Sequence, residues 1–438
     1  MLACAGGLAL SLVPLSAGAR SVGTGLEAGD LAPSTAALAR VARVGVPALI
    51  PTPVPVTGVR YYYPWSIPNK LRDRSTDPGL GGDYGGIVLS SSGSTMWSER
   101  PTVGYLPASN NKLVTAYVAL RSLGSTTRIT TTATMDPAAP WYVYLKGAGD
   151  PSLDTSRMTD LANQTATALK AIGRSAITLR FDDTLFPSPT NAPGWKTSYV
   201  PSEVAPVRAL VVDSHNVTDT SKDAATVLAG LLGKRGITVR SVYRATSPAT
   251  ATVIASTSSP TVGQLVAAML NVSQNDYAEA LFRLAAKARG YQTTWTGAHY
   301  NAISVLSTAG VPTSGWVSYD GSGLSRSDRL PTVTAAGLVR VMDTDATLRG
   351  IVFSSGGLPI AGLTGTLVSR FTTAPTSCAR GIIQAKTGSL DDVTALSGVA
   401  VGMDGQRRYF SILVNGKANT SATRDAVDRL AATATGCY

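Results

Sequence analysis

The sequence predicts a mixed α/β protein of the α+β kind, in which one antiparallel sheet carries helices on its faces and is interrupted by an inserted β-rich lobe. Three observations carry this. Hairpin signals stand towards both ends of the chain, and helical periodicity fills the stretches just inside them. Between about residues 130 and 258 the pattern changes to short, Thr-rich strand segments. With 438 residues, 44% hydrophobic and 15% charged, the chain has the composition of a globular protein and the length for two or three domains.

Residues 1–19, MLACAGGLALSLVPLSAGA, hold a short apolar run from Leu8 to Leu15, then small residues at Ala17-Gly18-Ala19. This is the pattern of a secretory signal that peptidase removes, although the basic leader is missing; a retained membrane anchor is the other reading. Residues 20–78 read as a Pro-rich tether and irregular lead-in, with PALIPTPVPVTG extended and the aromatic cluster Tyr61-Tyr62-Tyr63-Pro64-Trp65 docking it onto the domain. Order is expected from Gly85. Ile87-Val88-Leu89 and Thr95-Met96-Trp97 flank Ser92-Gly93, a hairpin signal. Apolar residues at Leu113, Ala116, Tyr117 and Leu120 then predict an amphipathic helix, started by Pro107 and the Ser109-Asn110-Asn111 run. Residues 79–129 therefore form the first part of the main domain.

The lobe, 130–258, contains RITTTATM, WYVYLKG, ITLRFDD, ALVVD and ITVRSVY as strands and 155–172 as a helix. The main domain resumes over 259–438. Helical periodicity marks 261–271, 277–289 and 334–345, and Ile382–Gly388 reads as a strand. Asp404-Gly405 joins two apolar runs as a hairpin, and 420–434 closes the chain as a helix.

Lys and Arg outnumber Asp and Glu by 38 to 27, a net charge of +11, which suits polyanionic partners. No dense basic block or zinc-finger spacing points to nucleic acid. Two histidines, His215 and His299, leave little for a His-based metal site or a Ser-His-Asp triad, and no metal or cofactor is expected. Removal of Cys4 with the leader would leave Cys378 and Cys437, which an exported protein tends to join.

The chemistry centres on Ser109 and Lys112, the one S-x-x-K of the chain. Three residues apart on a helix, they share a face, so a lysine amine could take the proton of a serine nucleophile. A helix cap followed by a solvated lysine has the same spacing. Two further motifs follow in order, Ser273-Gln274-Asn275 and Lys386-Thr387-Gly388. The three together are the signature of penicillin-binding proteins and serine β-lactamases. Ser214-His215-Asn216 repeats the second pattern at a strand end in the lobe and reads as structural.

Longer stretches sharpen the match. LPASNNKLVTA, SQNDYAEALFR, YDGSGLSR, LPIAGLTGTL and AKTGSLDDV, with GDPSLD and DDTLFP inside the lobe, resemble the D-Ala-D-Ala carboxypeptidases among the low-molecular-mass class C penicillin-binding proteins. The resemblance runs from about residue 80 to the C-terminus. The interval between Lys112 and Ser273 is too short for the two extra domains of better-known members, so a one-lobe form is expected. The resemblance implies a β-lactamase/DD-peptidase-like fold in which Ser109 attacks the penultimate D-Ala carbonyl and Lys112 is its base. It makes Ser273 a proton relay and Asn275 a donor to the substrate amide that also holds Lys112. Lys386 and Thr387 would bind the terminal carboxylate, and Lys386 could be the second cation that depresses Lys112. Gly388 would leave room for substrate, and the backbone N–H groups of Ser109 and Ser389 would form the oxyanion hole. Asp320, Ser322, Asp391 and Asp392 read as turn-formers. The implied partners are peptidoglycan stem peptides and β-lactams as covalent inhibitors, with anionic wall polymers drawn by charge, outside the cytoplasmic membrane. The alternatives are a serine β-lactamase and a non-catalytic wall-binding protein on the same fold. An activity on D-Ala-to-diaminopimelate cross-links is the natural extension of the first reading.

Overall fold

The computed structural model describes residues 61–437; the signal segment 1–19 and the tether up to residue 60 lie outside them. The first described helix, α1 (Ile67–Arg74), is amphipathic and buries Ile67 and Leu71. Strands β1 (Tyr84–Leu89) and β2 (Thr95–Glu99) form a hairpin, and β3 (Gly104–Tyr105) leads to a 3-10 turn at Ala108–Asn111 and helix α2 (Lys112–Leu123). The chain then leaves for the lobe through β4 (Arg128–Met135), β5 (Tyr142–Lys146), α3 (Thr155–Ala171), β6 (Ala176–Asp182), α4 (Thr220–Gly233), β7 (Thr238–Arg244) and β8 (Thr252–Thr261). It returns as α5 (Val262–Val272), α6 (Asn275–Ala288), α7 (Trp295–Thr308), β9 (Leu330–Pro331), α8 (Thr332–Thr344) and α9 (Ala346–Val352). Strands β10 (Ile383–Leu390), β11 (Val393–Val401) and β12 (Arg407–Asn415) and helix α10 (Ser421–Thr433) complete the described chain.

The main sheet has five strands in the order β10-β11-β12-β1-β2, all antiparallel. Period-2 alternation divides its side chains between two cores. Ala395, Val399, Tyr409 and Leu413 face a cluster built by α2, α5, α6, α7 and α8, while Leu396, Ala400, Phe410, Ile412 and Val414 face α1 and α10. Helix α2 is buried on every side from Lys112 to Leu120, which makes it the axis of the main domain. A disulfide joins Cys378 to Cys437, tying the segment before β10 to the end of the described chain.

The lobe has its own five-stranded sheet in the order β7-β6-β5-β4-β8. β4 runs antiparallel to both neighbours, but β5, β6 and β7 are parallel, with α3 and α4 as their crossovers. Both helices start on aspartate caps, Asp154 and Asp219. They cover one face of the sheet, where Leu145, Leu179, Leu161 and Leu228 form a third core.

Several expectations need correction. The lobe is α/β in character, because two parallel crossovers need helices, and the expected helix at 155–172 is only the first of them. ALVVD (209–213) is not a strand; Leu210 and Val212 pack into the lobe core from a loop. Order begins before Gly85, since Ile67, Leu71 and Leu80 are fully packed. Within the aromatic cluster, Tyr63 and Trp65 stack on each other and remain 73% and 78% exposed, so they do not dock the lead-in. That contact comes from the backbone: the Tyr62 N–H donates to the Gly436 carbonyl at 2.6 Å, and Tyr61 bridges to Cys437.

Candidate active site

Ser109 does not open a regular helix. It sits in the 3-10 turn, and α2 begins at Lys112. The residue before it, Ala108, has φ of 45°, a left-handed conformation that costs a residue with a side chain about 1–3 kcal/mol. Gly323 explains how the turn is held: an added Cβ there would lie 1.9 Å from the Ala108 carbonyl oxygen, and its own φ is +87°. The glycine lets the 319–325 loop close over the nucleophile's turn.

The turn and the first residue of α2 bring Lys112 Nζ within 2.8 Å of Ser109 Oγ. Nζ also lies 2.7 Å from Asn275 Oδ1 and 3.0 Å from the Ser322 carbonyl, so three acceptors fix a side chain that is wholly buried. Burial lowers the Lys112 pKa from 10.5 to about 8, against the opposing charges of Glu279, Asp320 and Asp276. Desolvation is the largest cause of the depression.

Asn275 is the first residue of α6, placed there because α5 ends in a left-handed Ser273 with φ of 63°. Its Oδ1 faces Lys112 and its Nδ2 donates to the Glu203 carbonyl of the lobe at 2.8 Å. Ser273 is half-buried in the break between the helices.

Strand β10 runs beside the nucleophile's turn, with Asn110 Nδ2 donating to the Lys386 carbonyl at 3.2 Å. Lys386 is fully buried and its Nζ reaches the Thr387 carbonyl at 3.1 Å. Thr387 Oγ1 shares a hydrogen bond with Thr366 Oγ1 at 2.7 Å, and Ser389 is exposed near the strand's end. Gly388 packs against the same turn. A Cβ there would come within 2.8 Å of the Pro107 carbonyl and 2.9 Å of Asn110 Nδ2, so its bare backbone lets β10 close on the Ser109 turn.

Of the supports behind these groups, sequence reasoning read Asp320 and Ser322 as turn-formers and missed Glu279 and Trp195. Glu279 is fully buried, and its two carboxylate oxygens accept the Gly321 and Ser322 N–H groups at 2.8 Å each. It therefore holds the carbonyl that holds Lys112. Glu279 stands four residues after Asn275 on α6, on the same helical face, which is the signal that could have found it. Asp320 accepts from the Gly323 and Ser325 N–H groups at 2.7 Å and from Trp195 Nε1 at 2.8 Å. Trp195 belongs to the loop between β6 and α4, as do Glu203 and Ala205, whose N–H donates to Asp276 at 2.8 Å. No local pattern in the sequence announces that a lobe loop forms a wall of the cleft.

The two histidines and the other acids set aside as structural lie elsewhere. His215 pairs with Asp223 at 2.7 Å and His299 packs on Trp316. Asp182 caps Thr184 and the Ser247 N–H, whereas Asp183 pairs with Arg244 at 3.0 Å. Asp391 and Asp392 meet Lys196 and Arg326. Among the described residues no group of His, Cys, Asp or Glu could hold a metal ion, and no helix is long and apolar enough to cross a membrane.

Comparison with known proteins bears on the whole described chain. The family model for D-Ala-D-Ala carboxypeptidase 3 (S13) matches residues 67–218 and 214–435. Carboxypeptidase DacB of Mycolicibacterium smegmatis is 31% identical over 387 residues, covering 82% of each chain. The D-alanyl-D-alanine carboxypeptidase of Actinomadura sp. is 28% identical over 447 residues, covering 80% of this chain and 81% of its own. Among solved structures, penicillin binding protein 4 from Haemophilus influenzae superposes with a TM-score of 0.72 at 20% identity, over 82% of this chain and 97% of its own, which establishes the shared fold. On the family model and these relatives, the chain belongs to the D-Ala-D-Ala carboxypeptidase 3 (S13) family and is a serine-type D-Ala-D-Ala carboxypeptidase.

Proposed function

We propose that Ser109 is the residue acylated in this reaction and Lys112 the base that activates it. The observation that carries the assignment is a buried amine of lowered pKa, 2.8 Å from the Ser109 hydroxyl and oriented by Asn275. Ser109 Oγ attacks the carbonyl carbon of the penultimate D-Ala of a stem peptide while its proton passes to the neutral Lys112 amine. The oxyanion that forms is met by the backbone N–H groups of Ser109 and Ser389, each such donor contributing roughly 3–4 kcal/mol to the transition state. The C–N bond then breaks, and Lys112 returns its proton through Ser273 to the leaving amine of the terminal D-Ala. Water hydrolyses the acyl-enzyme, giving the shortened peptide and free Ser109. Lys386 and Thr387 bind the carboxylate of the departing D-Ala. Asn275, whose Nδ2 already meets Glu203, offers its second N–H to the substrate amide.

The same acyl half-reaction extends the reading to D-Ala-to-diaminopimelate cross-links, where only the leaving amine differs. It also makes β-lactams covalent inhibitors; the Haemophilus influenzae protein of the same fold has a structure in complex with a β-lactam. The substrate places the protein outside the cytoplasmic membrane, and the charge of +11 draws it to anionic wall polymers.

Purified protein should release D-alanine from a D-Ala-D-Ala peptide and be labelled persistently by a fluorescent penicillin. Ser109→Ala should lose both. Retention of both by that variant would sink the assignment, and rapid turnover of the penicillin label would favour a β-lactamase.

A further inference from the structure

The helices α3 and α4 cover one face of the lobe sheet and leave the other open. Along β4, Thr130, Thr132 and Thr134 alternate onto this open face and line a groove of about 460 Å³. Lys146 sits on β5 directly across from Thr132, and Lys287 reaches the groove from the last turn of α6. Both lysines are exposed, and neither has an ion-pair partner among the described residues. The acid in the groove, Asp182, does not neutralise them by contact: Oδ1 accepts from the Thr184 N–H and hydroxyl at 3.1 and 2.6 Å, and Oδ2 from the Ser247 N–H at 2.9 Å. The groove also offers apolar surface from Leu185 and from Val253, which is 61% exposed.

The same face continues past Lys146. Tyr142, Tyr144 and Lys146 alternate on β5, and Arg180 of β6 stands opposite Tyr144, with Tyr243 of β7 opposite Arg180. The Arg180 guanidinium lies 3.5 Å over the Tyr142 ring and donates to the Tyr144 and Tyr243 hydroxyls. The face thus presents hydroxyls, two ammonium groups, apolar patches and an aromatic platform capped by a guanidinium. That mixture suits a polymer whose units have hydroxyl edges, C–H faces and negative charge. Along α6, Lys287 lies roughly 18 Å from Asn275 at the helical rise of 1.5 Å per residue, too far to touch the peptide bond being cut.

We infer that the open face of the lobe sheet is a second binding site, and that it takes an acidic glycan strand, with Lys146 and Lys287 meeting its anionic groups. Given the peptidoglycan reading above, on which the identity of the strand rests, that glycan is the one carrying the stem peptides, and its negative charge is that of the peptides' free carboxylates. The lobe holds the polymer while the cleft works on one of its peptides.

Two measurements on the full chain test this. Sedimentation with insoluble peptidoglycan, chemically stripped of phosphate polymers, reads the groove, and D-alanine release from a short soluble peptide reads the cleft. Lys146→Gln/Lys287→Gln should weaken sedimentation by roughly tenfold or more, as expected for losing two charge-assisted contacts, and leave soluble-peptide turnover unchanged. Lys146→Arg/Lys287→Arg should restore binding. The inference is overturned if the glutamine pair sediments like the parent, if the arginine pair loses binding equally, or if the difference appears only with phosphate polymers present. Failure of the parent to release D-alanine would count against the cleft assignment and leave the sedimentation result to stand alone.

Discussion

The main sheet is buried on both faces, whereas the lobe sheet closes only one of its faces with helices and leaves the other to solvent. The polar groups differ in the same way. In the cleft, Lys112 is completely buried and meets three acceptors. At the lobe groove, Lys146 of β5 and Lys287 of α6 are exposed beside a row of threonines on β4. A charge fully withdrawn from water must be surrounded by fixed partners, and those partners set its chemistry. A charge at the surface stays hydrated and free to meet something new. The comparison teaches that the cleft is tuned by what lies behind it, while the lobe face is tuned by what lies in front.

Substitutions can break that contrast. Lys112→Met should have the largest effect, lowering penicillin acylation by about 10²–10⁴-fold, measured as a second-order labelling rate. On the proposed mechanism neutral Lys112 is the reactive form, so labelling should rise with pH to an inflection near 8. The sign for stability follows from the same shift. The folded state binds fewer protons than the unfolded chain between about 8 and 10.5, so burial of this lysine costs stability below that window and the cost is relieved as pH rises through it. Glu279→Ala would leave the Gly321 and Ser322 N–H groups without acceptors, at about 1–3 kcal/mol each, and should lower both the melting temperature and the labelling rate. Trp195→Phe keeps an aromatic ring but removes the pyrrole N–H that donates to Asp320, and should cost at least about 1 kcal/mol in denaturant titration. Thr132→Val, on the open lobe face, should change stability by no more than about 0.5 kcal/mol; a larger loss would show that this face is part of the core after all.

Much of the catalytic half was legible because its elements carry local signals. The Asp404-Gly405 hairpin, the periodicity of α2, α5 and α6, and the three motifs each occupy a few consecutive residues. What joins Ser109 to Asn275 was not written in any one stretch; it came from a resemblance spanning the chain. The lobe was harder to read. Its strands were visible as Thr-rich runs, but the parallel pairing depends on α4, whose weak amphipathicity hides it among alanines and leucines. The buried supports were least legible, because Glu279 looks like an ordinary acid until burial and the N–H groups around it are known. Trp195 acts across a sequence separation of 125 residues, which no local pattern encodes.

The lobe leaves the main domain on β4 and returns on β8, and these strands are paired, with Arg128 opposite Thr261. Departure and return therefore share a single rung of hydrogen bonds. To the rest of the fold the lobe is a closed bracket: its length can change without moving α2 or α5, because the ends stay fastened together. The loop bearing Trp195 and Glu203 reaches back to the cleft. Exchange of lobes between relatives would be a modular operation everywhere except at that loop, where a transplanted lobe must bring the right indole and the right carbonyl or leave Asn275 and Asp320 without their partners.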